Sequence, residues 1–405
     1  DRGAYVLLTN SNTDFVRRLF SGFEYKVINT RRNISSNAET RTGQDLIVIA
    51  TSAKKKTSSY FSLQGDEFLK NFPGTRFMGS KYRVLPFIWD CVKDLPFKSV
   101  IDAFSGSGCV SYMFKQAGKQ VISNDFMHFC SHLTTALIEN SDVKLNKNDI
   151  KLLLSPNNKN GGFISKNFKG LYFTDEENVF LDSARANVDL LKDKYRKSMA
   201  LAALARACLK RRARGIFTFV GDRYDDGRRD MRMTLREHFE ENIVAFNNAV
   251  FDNGQQNKAC NGDIFNLNQK ADLVYFDPPY FTPKSDNDYC RRYHFVEGLV
   301  RKWDGLVIQE HTKTKKFKKY ETPFSAKNTV DKAFDDLFRK FKDSILVVSY
   351  SSNSIPSKAG LVELLRKYKN EVIVHQVEHL YSFGTHGHKV GHNANRVLEY
   401  IFVAY

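Results

Sequence analysis

Long apolar runs are missing from this chain. None of its 405 residues falls in a stretch near the roughly 18 consecutive apolar positions that a membrane-crossing helix requires. Paired cysteines are missing too. Cys91, Cys109, Cys130, Cys208, Cys260 and Cys290 are scattered and none belongs to a C-x-x-C pair. That spacing argues against a zinc knuckle or a disulfide framework and fits a reducing cytoplasm. Negative charge is in short supply: 45 acids face 62 Lys and Arg, for a net charge of +17. A surplus of that sign favours a polyanion such as DNA or RNA as partner. An initiating methionine is absent as well, so the sequence is expected to be part of a longer chain. Apolar residues are plentiful at 42%, enough for a sizeable core and too many for bulk disorder.

The organisation is α/β. Residues 98–125 read KSVIDAFSGSGCVSYMFKQAGKQVISND. An apolar strand over Val100–Phe104 ends in a Gly/Ser turn. A helical pattern over Val110–Gln116 stops near Gly118, and a second strand over Gln120–Ser123 ends at Asn124-Asp125. This β-turn-α-β unit implies parallel strands and a right-handed crossover. Further strands are expected at Leu273–Phe276, Ile345–Tyr350, Glu371–Val377 and Leu398–Ala404, with amphipathic helices at Asp331–Phe341 and Leu361–Tyr368. The alternation predicts a doubly wound, Rossmann-like sheet. Residues 127–260 break the rhythm and read as an insertion.

Two segments echo each other. Residues 4–51 and 344–404 share an order of apolar strand, Ser/Asn turn, amphipathic helix, β-rich stretch, polar loop and final apolar strand. The match suggests that residues 1–52 are the tail of another copy of the same fold, with residues 53–75 as a linker.

Two motifs carry chemistry. In Asp102-Ala-Phe-Ser-Gly-Ser-Gly108, Gly106 and Gly108 sit where the backbone must turn sharply beside a ligand. Asp125, 17 residues after Gly108, ends the next strand, where α/β nucleotide sites place a ribose-binding acid. The second motif is Asp-Pro-Pro-Tyr at 277–280. Asp277 leaves a strand at its carboxyl end, and the prolines stiffen the turn. The Asp277 carboxylate and the Pro278 carbonyl are then two fixed acceptors for an amino group, and Tyr280 offers a face to an unstacked base. An exocyclic ring amine is a weak nucleophile because its lone pair is delocalised. Accepting both of its protons favours a tetrahedral nitrogen.

With GSKY (Gly79–Tyr82) ahead of FSGSG and GDIF (Gly262–Phe265) ahead of DPPY, the chain resembles the Dam-like adenine-N6 DNA methyltransferases over about residues 76–405. The resemblance implies S-adenosyl-L-methionine as cofactor. Phe77 and Lys81 would hold its methionine part, with Lys81 on the carboxylate. Phe104, Ser105, Gly106 and Gly108 would line that pocket, Asp125 would take the ribose, and Asp263 and Ile264 would border the adenine. The family's first motif more often has tryptophan where Phe77 stands. The resemblance extends to tandem methylases of type IIS restriction systems, so the missing upstream partner would be a second methyltransferase domain.

The insertion reads as the target-recognition part. Residues 206–236 hold ten Lys/Arg against four Asp. Arg211, Arg212, Arg214, Arg223, Arg228 and Arg229 are the expected contacts to double-stranded DNA; an ion-paired surface is the competing account. Lys313–Lys319 is a second basic run, either on phosphates or merely solvated. His386, His388 and His392 lie without an acid or cysteine beside them, and no metal is expected. An RNA base N-methyltransferase and a catalytically silent DNA-binding module remain as alternatives.

Overall fold

The computed structural model describes residues 5–11, 24–31, 42–51, 69–159, 161–221, 225, 227–281, 288–380 and 396–405. The chain divides into two units, Asp1–Ser62 and Leu63–Tyr405.

The first unit holds three strands, β1 (Tyr5–Ser11), β2 (Glu24–Arg31) and β3 (Thr42–Thr51). They pair antiparallel in the order β1-β3-β2.

The second unit opens with α1 (Leu85–Val92), started by Pro86 in its first turn. Then come β4 (Ser99–Asp102), α2 (Cys109–Gln116) and β5 (Gln120–Asp125). The strand expected to run to Phe104 stops at Asp102, because the backbone must leave the sheet to form the Gly turn. Gly108 sits at φ 78° ahead of α2, a left-handed conformation that glycine adopts without strain.

The insertion is helical. It comprises α3 (His128–Thr134), α4 (Lys147–Leu154), α5 (Phe163–Asn167), α6 (Asp175–Val188), α7 (Lys194–Arg211), α8 (Arg229–Arg232) and α9 (Leu235–Ala249). Asn146, Thr174 and Thr234 close capping boxes at α4, α6 and α9. The remaining elements are β6 (Lys258–Asn261), β7 (Leu273–Phe276), α10 (Tyr289–Arg301), α11 (Lys327–Lys340), β8 (Ile345–Ser351), α12 (Lys358–Arg366), β9 (Val372–Leu380) and β10 (Arg396–Ala404). β6 and α10 were not anticipated.

The seven strands run β6-β5-β4-β7-β8-β10-β9. The first five are parallel and β10 is antiparallel to both neighbours. Both faces are covered. Val100, Leu273 and Tyr275 point into one core with α1, α2 and the insertion; Ile101, Val274 and Phe276 point into the other with α11 and α12. Strands buried on both sides explain the unbroken apolar run Leu273–Phe276. The strand order reverses between β4 and β7, and open α/β sheets bind ligands beyond the carboxyl ends of strands at such a point. The insertion is part of the protein's core rather than a detached module, since Ala200–Ala205 on α7 are buried in it.

The three strands at one end of this sheet, β8, β10 and β9, share their strand order with the first unit. Both sets have the order first-third-second, all antiparallel. Ser11 pairs with Asp45 as Ser351 pairs with Glu399, and Ala50 and Ala404 fall at the same register position.

Candidate active site

The carboxyl ends of β4, β5 and β7 border one cleft of about 290 Å³. Phe77, Lys81, Phe104, Ser105, Gly106, Asp125, Asp263, Ile264, Asp277 and Tyr280 all line it. The structure thus brings together most of the residues that the motifs single out. Gly108 shapes the turn but lies outside the wall, and Pro278 is buried behind it while Pro279 faces in. Of the expected acceptor pair, only Asp277 belongs to the wall.

The turn after β4 is tied down by backbone. Ser105 N–H donates to Asn124 O at 2.9 Å, and Gly108 N–H to Ser105 O at 2.7 Å. Gly106 has φ 48°, and a Cβ there would lie 3.0 Å from the Phe77 ring. Phe77 stacks on Tyr293 with centroids 5.0 Å apart, and the Tyr293 hydroxyl accepts from Met78 N–H at 2.7 Å. Tyr289 donates to Met78 O at 3.2 Å. Helix α10 therefore props the loop carrying Phe77.

Asp125 accepts from Gly106 N–H at 2.8 Å and from Met127 N–H at 2.9 Å. Burial lifts its carboxyl to about 6 against the pull of those two donors. Asp102 at the end of β4 accepts from the Ser111 hydroxyl at 2.6 Å, and burial lifts it to about 7. Asp102 Oδ1 and Ser105 Oγ are buried with no hydrogen-bond partner among the described residues. A buried acceptor left bare is costly, so both atoms suit a ligand that donates. Phe104, Phe265 and Phe324 form an apolar wall at the Ile264 end, with Phe324 edge-on to Phe104 at 5.4 Å.

Asp277 sits among side chains instead. Lys81, expected on a ligand carboxylate, is instead buried at 3% exposure with its ammonium donating to both Asp277 oxygens at 2.8 Å and to Gly79 O at 3.0 Å. Lys81 Nζ lies 5.0 Å from the Tyr280 ring centroid. The Tyr280 hydroxyl is 3.1 Å from Asp277 Oδ1 and 2.8 Å from Glu399 Oε1. Glu399 is wholly buried, accepts from the Ser349 hydroxyl at 2.7 Å and lies 3.6 Å from Lys81 Nζ. Burial pushes the Asp277 carboxyl up to about 6; Lys81 pulls it down and Glu399 pushes it up.

Glu399 escaped the motif search. Its signal is present in the sequence: it is the only acid in the otherwise apolar run Val397–Ala404. Tyr289, Tyr293 and Phe324 were also overlooked, because each sits far along the chain from the motif it supports.

The expectation for Arg212 needs correction. Arg212 is 3% exposed; its guanidinium donates to the carbonyls of Tyr172, Phe219 and Gly221 and packs on the Tyr172 and Phe219 rings. It holds a loop together and has no face for DNA. Arg211 is half-buried on Glu177 and Met231 O, and Arg228 donates to Ala213 O. Arg214 is half-buried. Arg229 is 69% exposed, on Glu241. The basic run Lys313–Lys319 is folded back, with Phe317 buried and Gln309 N–H on Lys316 O. Arg223 and His386, His388 and His392 lie outside the described residues.

A Rossmann-like sheet with a bent Gly turn and two buried aspartates, Asp125 and Asp277, around one switch point is a layout suited to an enzyme that moves a methyl group. The match to a family model settles which kind. Residues 77–353 match the D12 class N6 adenine-specific DNA methyltransferases, and the chain belongs to that family. It is similar to the type II methyltransferase M2.HphI of Haemophilus parahaemolyticus, 29% identical over 328 residues, covering 76% of this chain and 92% of the relative. It is also similar to the modification methylase LlaI of Lactococcus lactis subsp. lactis (26% identical, 74% and 50% covered) and to the type II methyltransferase M.FokI of Planomicrobium okeanokoites (27%, 73% and 48%). The matched region spans about half the length of these last two.

Proposed function

We propose that this chain methylates N6 of an adenine turned out of duplex DNA, as the modification member of a restriction-modification system in the cytoplasm. The observation that carries the reading is the placing of Asp277 and the Phe104–Gly108 turn at the ends of neighbouring strands, facing one cleft. S-adenosyl-L-methionine fits the residues present. Two bare buried acceptors, Asp102 Oδ1 and Ser105 Oγ, suit the amino end of its methionine part. A glycine stands where any Cβ would press on Phe77. Phe104, Ile264, Phe265 and Phe324 suit a flat ring. When bound, this cofactor supplies a methyl group on a sulfonium, ready for direct attack by an amine.

The chain's own residues do the rest. Asp277 accepts from the adenine amine and directs its lone pair toward the methyl carbon. Tyr280 stacks the extruded base. Lys81 keeps Asp277 ionised at neutral pH, since protonated Asp277 would lose acceptor capacity. The exposed Arg229 and its neighbours on the insertion are the basis for phosphate contact. Residues 1–52 are, in this proposal, the closing strands of a second methyltransferase domain, on the strength of the shared strand order and register.

Asp277→Ala is expected to lower kcat on duplex DNA by roughly 10²- to 10⁴-fold, with S-adenosylmethionine still binding by calorimetry. Unchanged transfer would overturn the role of Asp277. Faster transfer to RNA than to duplex DNA would overturn the substrate.

A further inference from the structure

Glu399 belongs to the reaction although it lies outside every motif. A fully buried carboxylate is expensive unless strong donors surround it. Glu399 has the Ser349 hydroxyl at 2.7 Å, the Tyr280 hydroxyl at 2.8 Å and the Lys81 ammonium at 3.6 Å. Two of these three groups also serve Asp277. Lys81 donates to both Asp277 oxygens, and Tyr280 lies 3.1 Å from Oδ1.

The donors are limited. The Tyr280 hydroxyl has one proton, so it serves Asp277 or Glu399 and not both. A carboxylate accepts about four hydrogen bonds. With Lys81 on both oxygens and Tyr280 on Oδ1, Asp277 has little capacity left for an incoming amine. A second carboxylate within reach of the same donors changes that balance.

We infer that Glu399 is a positioning residue: it draws the Tyr280 hydroxyl, and part of the Lys81 ammonium, away from Asp277 so that the aspartate can take the substrate amine. The inference rests on the reading of Asp277 as the amine acceptor. Ser349 orients Glu399 from the neighbouring strand. Among the described residues, the charged and titratable groups facing Asp277 are Lys81, Glu399, Tyr280, Asp102, Tyr275 and Tyr289. Removing the Glu399 charge takes away a group that pushes the Asp277 carboxyl up. It also leaves the tyrosine hydroxyl on Asp277, which pulls in the same downward direction.

The test uses the full chain with duplex DNA. Glu399→Gln is expected to lower kcat about 10- to 100-fold, to leave S-adenosylmethionine affinity little changed, and to move the acid limb of kcat to lower pH. Glu399→Asp keeps the charge and should recover part of the rate with the limb in place. In a Tyr280→Phe background there is no hydroxyl to draw off, so Glu399→Gln should cost less than in the wild type. A structural role alone gives losses that follow the folded fraction, an unmoved pH profile and additive effects; that result overturns the inference. Should Glu399→Gln not fold, the coupling of Glu399→Asp to Tyr280→Phe decides: non-additive losses in kcat support the inference, and additive losses that follow the folded fraction overturn it. Failure of the underlying reading looks different: Asp277→Ala would retain transfer whatever Glu399 does.

Discussion

Asp125 and Asp277 end the two parallel strands that flank β4, and burial lifts both to about 6. Their surroundings differ in kind. Asp125 is held by two backbone N–H groups, which cannot leave without unfolding the turn. Asp277 is held by Lys81 and Tyr280, which can rotate away. Backbone donors make a fixed acceptor, suited to gripping one part of a cofactor through every turnover. Side-chain donors make one that is released when a substrate amine arrives. In the function proposed above, the same residue type serves binding in one corner and chemistry in the other.

The contrast is sharpest in kinetics. Asp125→Ala removes charged hydrogen bonds of about 1.5–3 kcal/mol each, so the cofactor dissociation constant should rise about 10- to 100-fold. Its kcat at saturating cofactor should stay near wild type, the opposite pattern from Asp277→Ala. Equal kcat losses in both variants would erase the distinction. Lys81→Met comes next. It removes a cation that pulls Asp277 down, so the acid limb of kcat should move to higher pH, against the direction expected for Glu399→Gln. If both variants move the limb the same way, Asp277 is not the group that titrates.

The two carboxyls also separate activity from stability. Their ionised forms are disfavoured by burial, so the folded pKa of about 6 lies above the unfolded value of 3.8. Between about pH 6 and pH 4 the native state binds protons that the unfolded chain does not, and these groups favour folding more as pH falls. Transfer needs ionised Asp277 and is lost over the same window. Acidification should therefore stabilise the wild type relative to an Asp125→Asn, Asp277→Asn double variant, read from unfolding midpoints, while the wild-type rate falls.

Much of this was legible in the residues. Consecutive apolar strands, a Gly turn and a Pro-stiffened turn are local signals, and they located β4, β5, β7, β8 and β10 and the cleft they enclose. What escaped is long-range. Lys81 and Glu399 are 318 positions apart, and no spacing rule joins them; only the order in which β10 inserts beside β8 does. The choice of Arg212 as a DNA contact failed for a related reason. A count cannot tell Arg212, spent on three carbonyls, from Arg229, which reaches solvent. Burial is a property of the packed helices of the insertion, not of the arginine-rich string.

The smallest expected effect bears on the repeat. Asp45 lies opposite Ser11 on β3 as Glu399 lies opposite Ser351 on β10, and Thr9 falls where Ser349 does. Position alone would make Asp45 a second Glu399. Chemistry would not, because Glu399 acts through Tyr280 and Lys81, which belong to the other unit's cleft. Asp45→Asn should leave kcat within about twofold of wild type, the range of substitutions away from a working site. A loss as large as that of Glu399→Gln would mean that the first unit contributes to the transfer measured, and that the shared register marks shared function rather than shared architecture alone.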